Sequence, residues 1–133
     1  MQAHAVKASG LLKGKFVPPG DKSISHRALM FGALADGRSS FSHFLDAADC
    51  LSTMDAFRAM GVPIEFNRSE KTVVIDGVGL RGLKEPKGEL YLGNSGTSMR
   101  LLLGIFHKPD WFYIYPCHNN SPHSFYFCLV SAH

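Results

Sequence analysis

"SISHRALMFGALADG", Ser23 to Gly37, is the stretch on which the fold turns. Ile24, Ala28, Phe31 and Ala35 recur at spacings of four, three and four. That period predicts a helix with those four residues on its buried face, ending at Gly37. Upstream, Pro18, Pro19 and Gly20 make a stiff turn, so the helix starts close to Lys22 and Ser23, with Asp21 or Ser23 as its cap.

Working outward, "SSFSHF" (39–44) alternates apolar and polar as a short strand. "AADCLSTMDAFRAMG" (47–61) is a second helix, with Cys50, Met54 and Phe57 on one stripe and Gly61 as terminator. "VPIEF" and "KTVVIDG" read as strands joined by the turn "NRSE". "ELYLGN" reads as another strand. "SGTSMRLLLGIF" reads as another helix, with Met99, Leu102, Leu103 and Phe106 inward. The expected order is strand, helix, strand, helix, strand, strand, then strand and helix again, an α/β chain.

Composition sets limits on function. The 133 residues are 45% hydrophobic and 19% charged, a globular mixture sufficient for one domain. The net charge of +3 permits a small anionic ligand but not the dense basic surface that nucleic acid calls for. No apolar run reaches the roughly 18 residues of a membrane span. The N-terminus has no signal-peptide pattern. Three cysteines outside any zinc-finger spacing argue against a disulfide framework, leaving a reducing cytoplasm as the expected compartment.

The composition changes after Phe106. Residues 107–133 hold seven of the fifteen aromatics, four of the seven histidines and two of the three cysteines. They show no helical period and one apolar burst, "WFYIY". The chain therefore divides into 1–106 and an aromatic, histidine-rich tail, 107–133, read as unrelated or out-of-frame sequence. Cys117, His118, His123 and Cys128 in that tail are too loosely spaced for a metal site, and no metal is expected.

Two helix starts carry the chemistry. A helix N-terminus offers unpaired N–H groups and the positive end of the dipole, which suit phosphate or carboxylate. At the first start, Ser23 adds a hydroxyl, Lys22 a mobile charge, and Arg27, one turn on, a planar fork. The bland alternative is a capped helix with solvated cations. The second start, "GNSGTSMR" (93–100), has Asn94 or Ser95 as cap, Gly96 for close approach, Thr97 and Ser98 hydroxyls, and Arg100 a turn later. Either start alone reads as an ordinary cap; two in one α/β chain point to an anion site between them.

"PGDKSISHRA" followed by "LGNSGTSMRLL" resembles the 5-enolpyruvylshikimate-3-phosphate synthase family over about residues 1–106. The resemblance implies part of an inside-out α/β barrel built from βαβαββ units. It implies transfer of enolpyruvyl from phosphoenolpyruvate to the 5-hydroxyl of shikimate 3-phosphate, with release of phosphate and no metal or organic cofactor. It also implies roles: Lys22 touches both substrates, Ser23 and Arg27 hold shikimate 3-phosphate, and Asn94, Gly96 and Thr97 line the phosphoenolpyruvate pocket with Arg100 in support. Many members have alanine or proline where this chain has Ser95, Ser98 and Leu101. The sister transferase acting on UDP-N-acetylglucosamine shares the fold but not the first motif.

Members of the family are far longer, and their acid/base groups lie beyond the segment matched by 1–106. The sequence therefore predicts a truncated member with no catalytic group of its own, or a non-catalytic module retaining the shikimate 3-phosphate half-site. Helices that are amphipathic for a larger domain are expected to leave apolar surface bare. Partners other than small anions, and the oligomeric state, are not indicated.

Overall fold

The structure, a computed structural model, describes residues 13–88, 90–93, 95–105, 113–117 and 126–130. Asp21 opens the first helix. Its backbone is extended (φ −93°, ψ 139°), and its carboxylate accepts a hydrogen bond from the Ile24 amide at 2.7 Å. Of the two candidate caps, Asp21 is the one used, so α1 (Lys22–Leu34) begins with the Ser23 hydroxyl outside the capping bond.

The buried face of α1 differs from the expected one. Ile24 and Phe31 are 62% and 69% exposed, whereas Ser25, His26, Leu29, Met30, Gly32 and Ala33 face inward. Apolar residues occur all around this helix, so the 3–4 spacing fits more than one stripe. The sheet selects the face that can approach it most closely. A Cβ on Gly32 would lie 2.8 Å from Ile75 Cδ1 and 3.0 Å from Phe41 Cε2, so the missing side chain lets α1 lie directly on the strands.

β1 (Asp36–Phe41) follows at once. It begins three residues earlier than the alternation suggested and ends before His43, whose φ is +59°. α2 (Ala48–Ala59) has Asp49 in its first turn and Arg58 in its last, each complementing the helix dipole. Cys50, Met54 and Phe57 are all fully buried, as their spacing predicts. Gly61, at φ +87°, takes the chain out of α2 in a conformation that L side chains rarely adopt.

β2 (Ile64–Asn67) and β3 (Thr72–Val78) form the expected hairpin. Its turn is held by Asn67 Oδ1, which accepts from the Ser69 and Glu70 amides at 3.1 and 3.2 Å. The sheet has order β1-β3-β2 and is antiparallel throughout, with Arg38 opposite Asp76 and Ile64 opposite Ile75. Val73 and Ile75 are fully buried while Val74 is not, so one sheet face carries the core. That core joins Leu29 and Met30 of α1, Met54 and Phe57 of α2, and the two strand residues. Phe44 and Phe66 close its edge with rings 5.4 Å apart in an edge-to-face arrangement.

Two of the expected strands are not found among the described residues. Ahead of α1, residues 13–21 contain no regular element, where Pro18 and Pro19 cannot donate to a ladder; residues 1–12 lie outside the described residues. Leu90 and Leu92 are buried on either side of exposed Tyr91, the period-2 pattern of a strand, yet among the described residues they pair with no strand. α3 (Gly96–Ile105) seats Leu102 in the core, with Met99 and Ile105 packed against it. Leu103, expected inward, is 41% exposed, and Phe106 lies outside the described residues.

In the tail, β4 (Tyr113–Cys117) and β5 (Tyr126–Val130) pair antiparallel, with Tyr113 opposite Val130 and Cys117 opposite Tyr126. Both are rich in aromatic and branched residues, which suit a pleated surface. His118 and His123 lie outside the described residues. Among the described residues no helix is long and apolar enough to cross a membrane. Phe16, Ile24, Phe31 and Leu80 leave substantial apolar surface exposed.

Candidate anion-binding site at the helix starts

The first two turns of α1 present Lys22, Ser23 and Arg27 at the surface. Arg27 folds back along its helix, and Nε donates to the Ser23 carbonyl at 3.2 Å. Its two terminal amino groups have no partner among the described residues. The Lys22 ammonium pairs with the Asp49 carboxylate, in the first turn of α2. Lys22 is half exposed and Asp49 about three-quarters covered, so solvent screens this pair and it contributes little to stability. Gly20 explains how the turn before α1 is held. A Cβ there would come within 2.4 Å of the His43 carbonyl oxygen, so only glycine lets the Pro18–Gly20 turn lie against the loop that leads into α2.

The second start is capped by Ser95, whose Oγ accepts from the Ser98 amide at 3.1 Å, the N-cap to N3 bond. Gly96 and Thr97 then open the helix. Thr97 is exposed, and a Cβ on Gly96 would meet nothing within 4 Å. Arg100 is exposed as well. Asn94 lies outside the described residues.

The two starts are joined through α2 by a chain of buried polar groups. His26 Nδ1 lies 3.0 Å from Thr53 Oγ1, Thr53 Oγ1 lies 2.6 Å from Ser98 Oγ, and Ser98 Oγ lies 2.6 Å from Ser95 Oγ. All four residues are at most 1% exposed. Thr53 Oγ1 also donates to the Asp49 carbonyl at 3.1 Å. The first turn of α2 thus meets Lys22 through the Asp49 side chain and underlies both other helix starts through Thr53. Ser25, also buried, closes the arrangement. Its hydroxyl donates to the Asp21 carbonyl at 2.7 Å and accepts from the Leu45 amide at 3.0 Å.

Cys50 Sγ lies 3.9 Å from His26 Nε2 and 3.8 Å from the Lys22 carbonyl. Burial pushes this thiol up to about 11, with nearby Lys22 opposing the shift and Asp49 and Asp21 adding to it. Burial holds the His26 imidazole below its ordinary value, helped by the Lys22 charge and opposed by Asp49. A thiol that keeps its proton beside a neutral imidazole is a packed pair, not an activated nucleophile. Among the described residues no cluster of His, Cys, Asp and Glu is placed to hold a metal ion.

Of the residues singled out in the sequence, Lys22, Ser23, Arg27, Gly96, Thr97 and Arg100 all lie on the first turns of α1 and α3 or one turn beyond. Asp49, Thr53 and His26 were not singled out. Asp49 and Thr53 lie in a helix read only for its apolar stripe, and their partners are 27 or more residues away. The local signal for Asp49 was its place in a helix's first turn. His26 offered none, since its partner is a threonine on another element.

The profile of the family described as EPSP synthase (3-phosphoshikimate 1-carboxyvinyltransferase) matches residues 6–116, past the compositional change at 106. A 3-phosphoshikimate 1-carboxyvinyltransferase of Alkalilimnicola ehrlichii is 55% identical over 105 residues, covering 79% of this chain and 23% of the relative. One from Shouchella clausii is 58% identical over 99 residues, covering 74% of this chain and 23% of that protein. The solved structure of EPSP synthase from Acinetobacter baumannii superposes with a TM-score of 0.69 at 51% identity, over 76% of this chain and 23% of that one. The chain therefore spans about a quarter of the length of the relatives it matches. With most of its residues matched by the profile and both helix starts inside the match, the chain belongs to the EPSP synthase family.

Proposed function

We propose that this chain supplies the substrate-binding helix starts of an enolpyruvyl transferase acting on shikimate 3-phosphate and phosphoenolpyruvate. One observation carries the reading. The starts of α1 and α3, each with donors that have no partner among the described residues, are tied to one another through Thr53 beneath them. Both substrates are multiply anionic, and both helix ends favour negative charge.

Arg27 and Ser23 hold shikimate 3-phosphate. The two terminal amino groups of Arg27 are available for a planar, two-point contact, and the Ser23 hydroxyl is spared from capping by Asp21. Lys22 lies between the two ligands and exchanges its Asp49 partner for substrate oxygens. Gly96, with open space above it, admits phosphoenolpyruvate close to the backbone, alongside Thr97 and Asn94, and Arg100 adds positive charge one turn on. Proton transfer to and from the reacting carbons needs groups placed on both faces of the intermediate. By the family resemblance those groups lie outside the part matched here, and the helix starts of α1 and α3 bind and orient. Within it, residues 1–106 form the binding unit and 107–133 a separate element. A cytoplasmic location belongs to the same reading, in which Cys50 persists as a buried free thiol.

Calorimetric titration of shikimate 3-phosphate, alone and with phosphoenolpyruvate, tests the proposal. Saturable binding of the first that tightens the second supports it. Binding without phosphate release, abolished by Arg27→Ala, identifies a non-catalytic module. No saturable binding at millimolar ligand refutes it.

A further inference from the structure

We infer that Thr53 is a positioning residue for the first turn of α3, holding Gly96 and Thr97 in register with α1 through the buried chain His26–Thr53–Ser98–Ser95. The inference deepens the anion-site reading above and rests on it for the identity of the ligands, but not for the geometry.

α3 is otherwise seated by Leu102, Met99 and Ile105. Apolar contacts of that kind are non-directional and leave a short helix free to rotate or slide. A hydrogen bond between two fully buried hydroxyls is directional, and each oxygen is costly to leave unpaired. Thr53 Oγ1 and Ser98 Oγ make such a contact at 2.6 Å. Ser98 in turn lies 2.6 Å from Ser95 Oγ, the same atom that caps α3. Whatever moves the Thr53 oxygen therefore moves the cap, and the next two residues along the chain are Gly96 and Thr97.

The other end of the chain is anchored on α1, one turn after Lys22. Thr53 has a single hydroxyl proton and three polar neighbours. Ser98 Oγ gives its own proton to Ser95 Oγ, so the Thr53 proton closes the 2.6 Å contact to Ser98 and is shared with the Asp49 carbonyl at 3.1 Å. The His26 contact then closes when His26 carries its proton on Nδ1 and donates it. Nε2 is then the acceptor, and it faces the Cys50 thiol. The Asp49 carbonyl beside Thr53 Oγ1 belongs to the residue that pairs with Lys22. One oxygen thus references the α3 turn to both the position of α1 and the partner of its lysine.

Thr53→Val removes the hydroxyl at nearly constant shape, and Thr53→Ser restores it. In Thr53→Val the backbone amide signals of Gly96 and Thr97 are expected to move and their hydrogen exchange to accelerate. Phosphoenolpyruvate affinity in the presence of shikimate 3-phosphate is expected to fall about three- to tenfold, the scale of one buried hydrogen bond, with shikimate 3-phosphate alone within about twofold of wild type. The serine variant should recover both. A purely structural role would weaken both ligands equally and spread amide changes through the core, and that result overturns the inference. So do unchanged Gly96 and Thr97 amides. If the wild-type chain binds neither ligand, the function proposed above fails, and the amide comparison alone decides this point. If Thr53→Val does not fold, Ser98→Ala breaks the same link from α3 and is read in the same way.

Discussion

The Lys22 ammonium at the start of α1 is paired with the Asp49 carboxylate in the first turn of α2. Any anion that uses Lys22 must compete with that carboxylate. Asp49→Asn removes the competitor, and a half-exposed, solvent-screened pair is worth about 0–1 kcal/mol, so shikimate 3-phosphate should bind up to about fivefold more tightly at low ionic strength. Raising the salt should erase the difference. Titration of both proteins at two salt concentrations checks this, and weaker binding by the variant would mean that Asp49 orients Lys22 instead of occupying it.

Arg27 is exposed, and its only described hydrogen bond is to the carbonyl one turn back in its own helix. Arg27→Ala should leave the melting curve nearly unchanged, within about 0.5 kcal/mol, as surface substitutions usually do. It should weaken shikimate 3-phosphate binding by about tenfold or more, the range of a charge-assisted hydrogen bond. Arg27→Lys should recover only part of the loss, because a point charge cannot make the two-point contact. Full recovery by lysine would show that charge alone matters there.

The fold was legible where one reading of the pattern excluded the others. In α2 the stripe Cys50, Met54, Phe57 faces a side carrying Asp49, Asp55 and Arg58, so the period had one solution. In α1, apolar Ile24 and Phe31 alternate with polar Ser25 and His26, and the polar pair is the one inside because each finds hydrogen-bond partners there. No local pattern encodes a partner on another element. The same holds for the site: motif residues on the helix starts were readable, whereas Thr53, which links them, was not. Two substitutions separate the faces of α1. Gly32→Ala places a methyl 2.8 Å from Ile75 Cδ1 and should cost about 1–3 kcal/mol by overpacking. Phe31→Ser, on the exposed face, should change stability by no more than about 0.5 kcal/mol. Urea unfolding of both variants decides it, and a reversed order would restore the stripe through Ile24 and Phe31.

His26 is fully buried, and burial holds its imidazole below the ordinary value of 6.5. The unfolded chain therefore takes up a proton at this residue before the folded chain does. The stabilising contribution is present above about pH 6.5 and is lost as the pH falls through the lowered folded value. Wild-type stability should drop between about pH 7.5 and about pH 5, and His26→Gln, which cannot titrate, should show a smaller drop over the same range. Urea midpoints at the two pH values measure it. Equal drops in the two proteins would mean that His26 has its ordinary proton affinity in the fold.

Gly96 begins α3 with open space where a side chain would project. Packing does not require glycine at this position, and alanine is the better helix former by up to about 1 kcal/mol. Gly96→Ala should therefore fold at least as well as the wild type. If phosphoenolpyruvate approaches the backbone at this turn, the added methyl takes up the same space. Its affinity should then fall by about tenfold or more, the scale of a steric misfit of a few kcal/mol at most, while shikimate 3-phosphate, held at α1, binds as before. Melting curves and titrations of both ligands read the two effects separately. A variant with unchanged phosphoenolpyruvate affinity would place that ligand away from Gly96, and the glycine would then have neither a packing nor a binding role at this helix start.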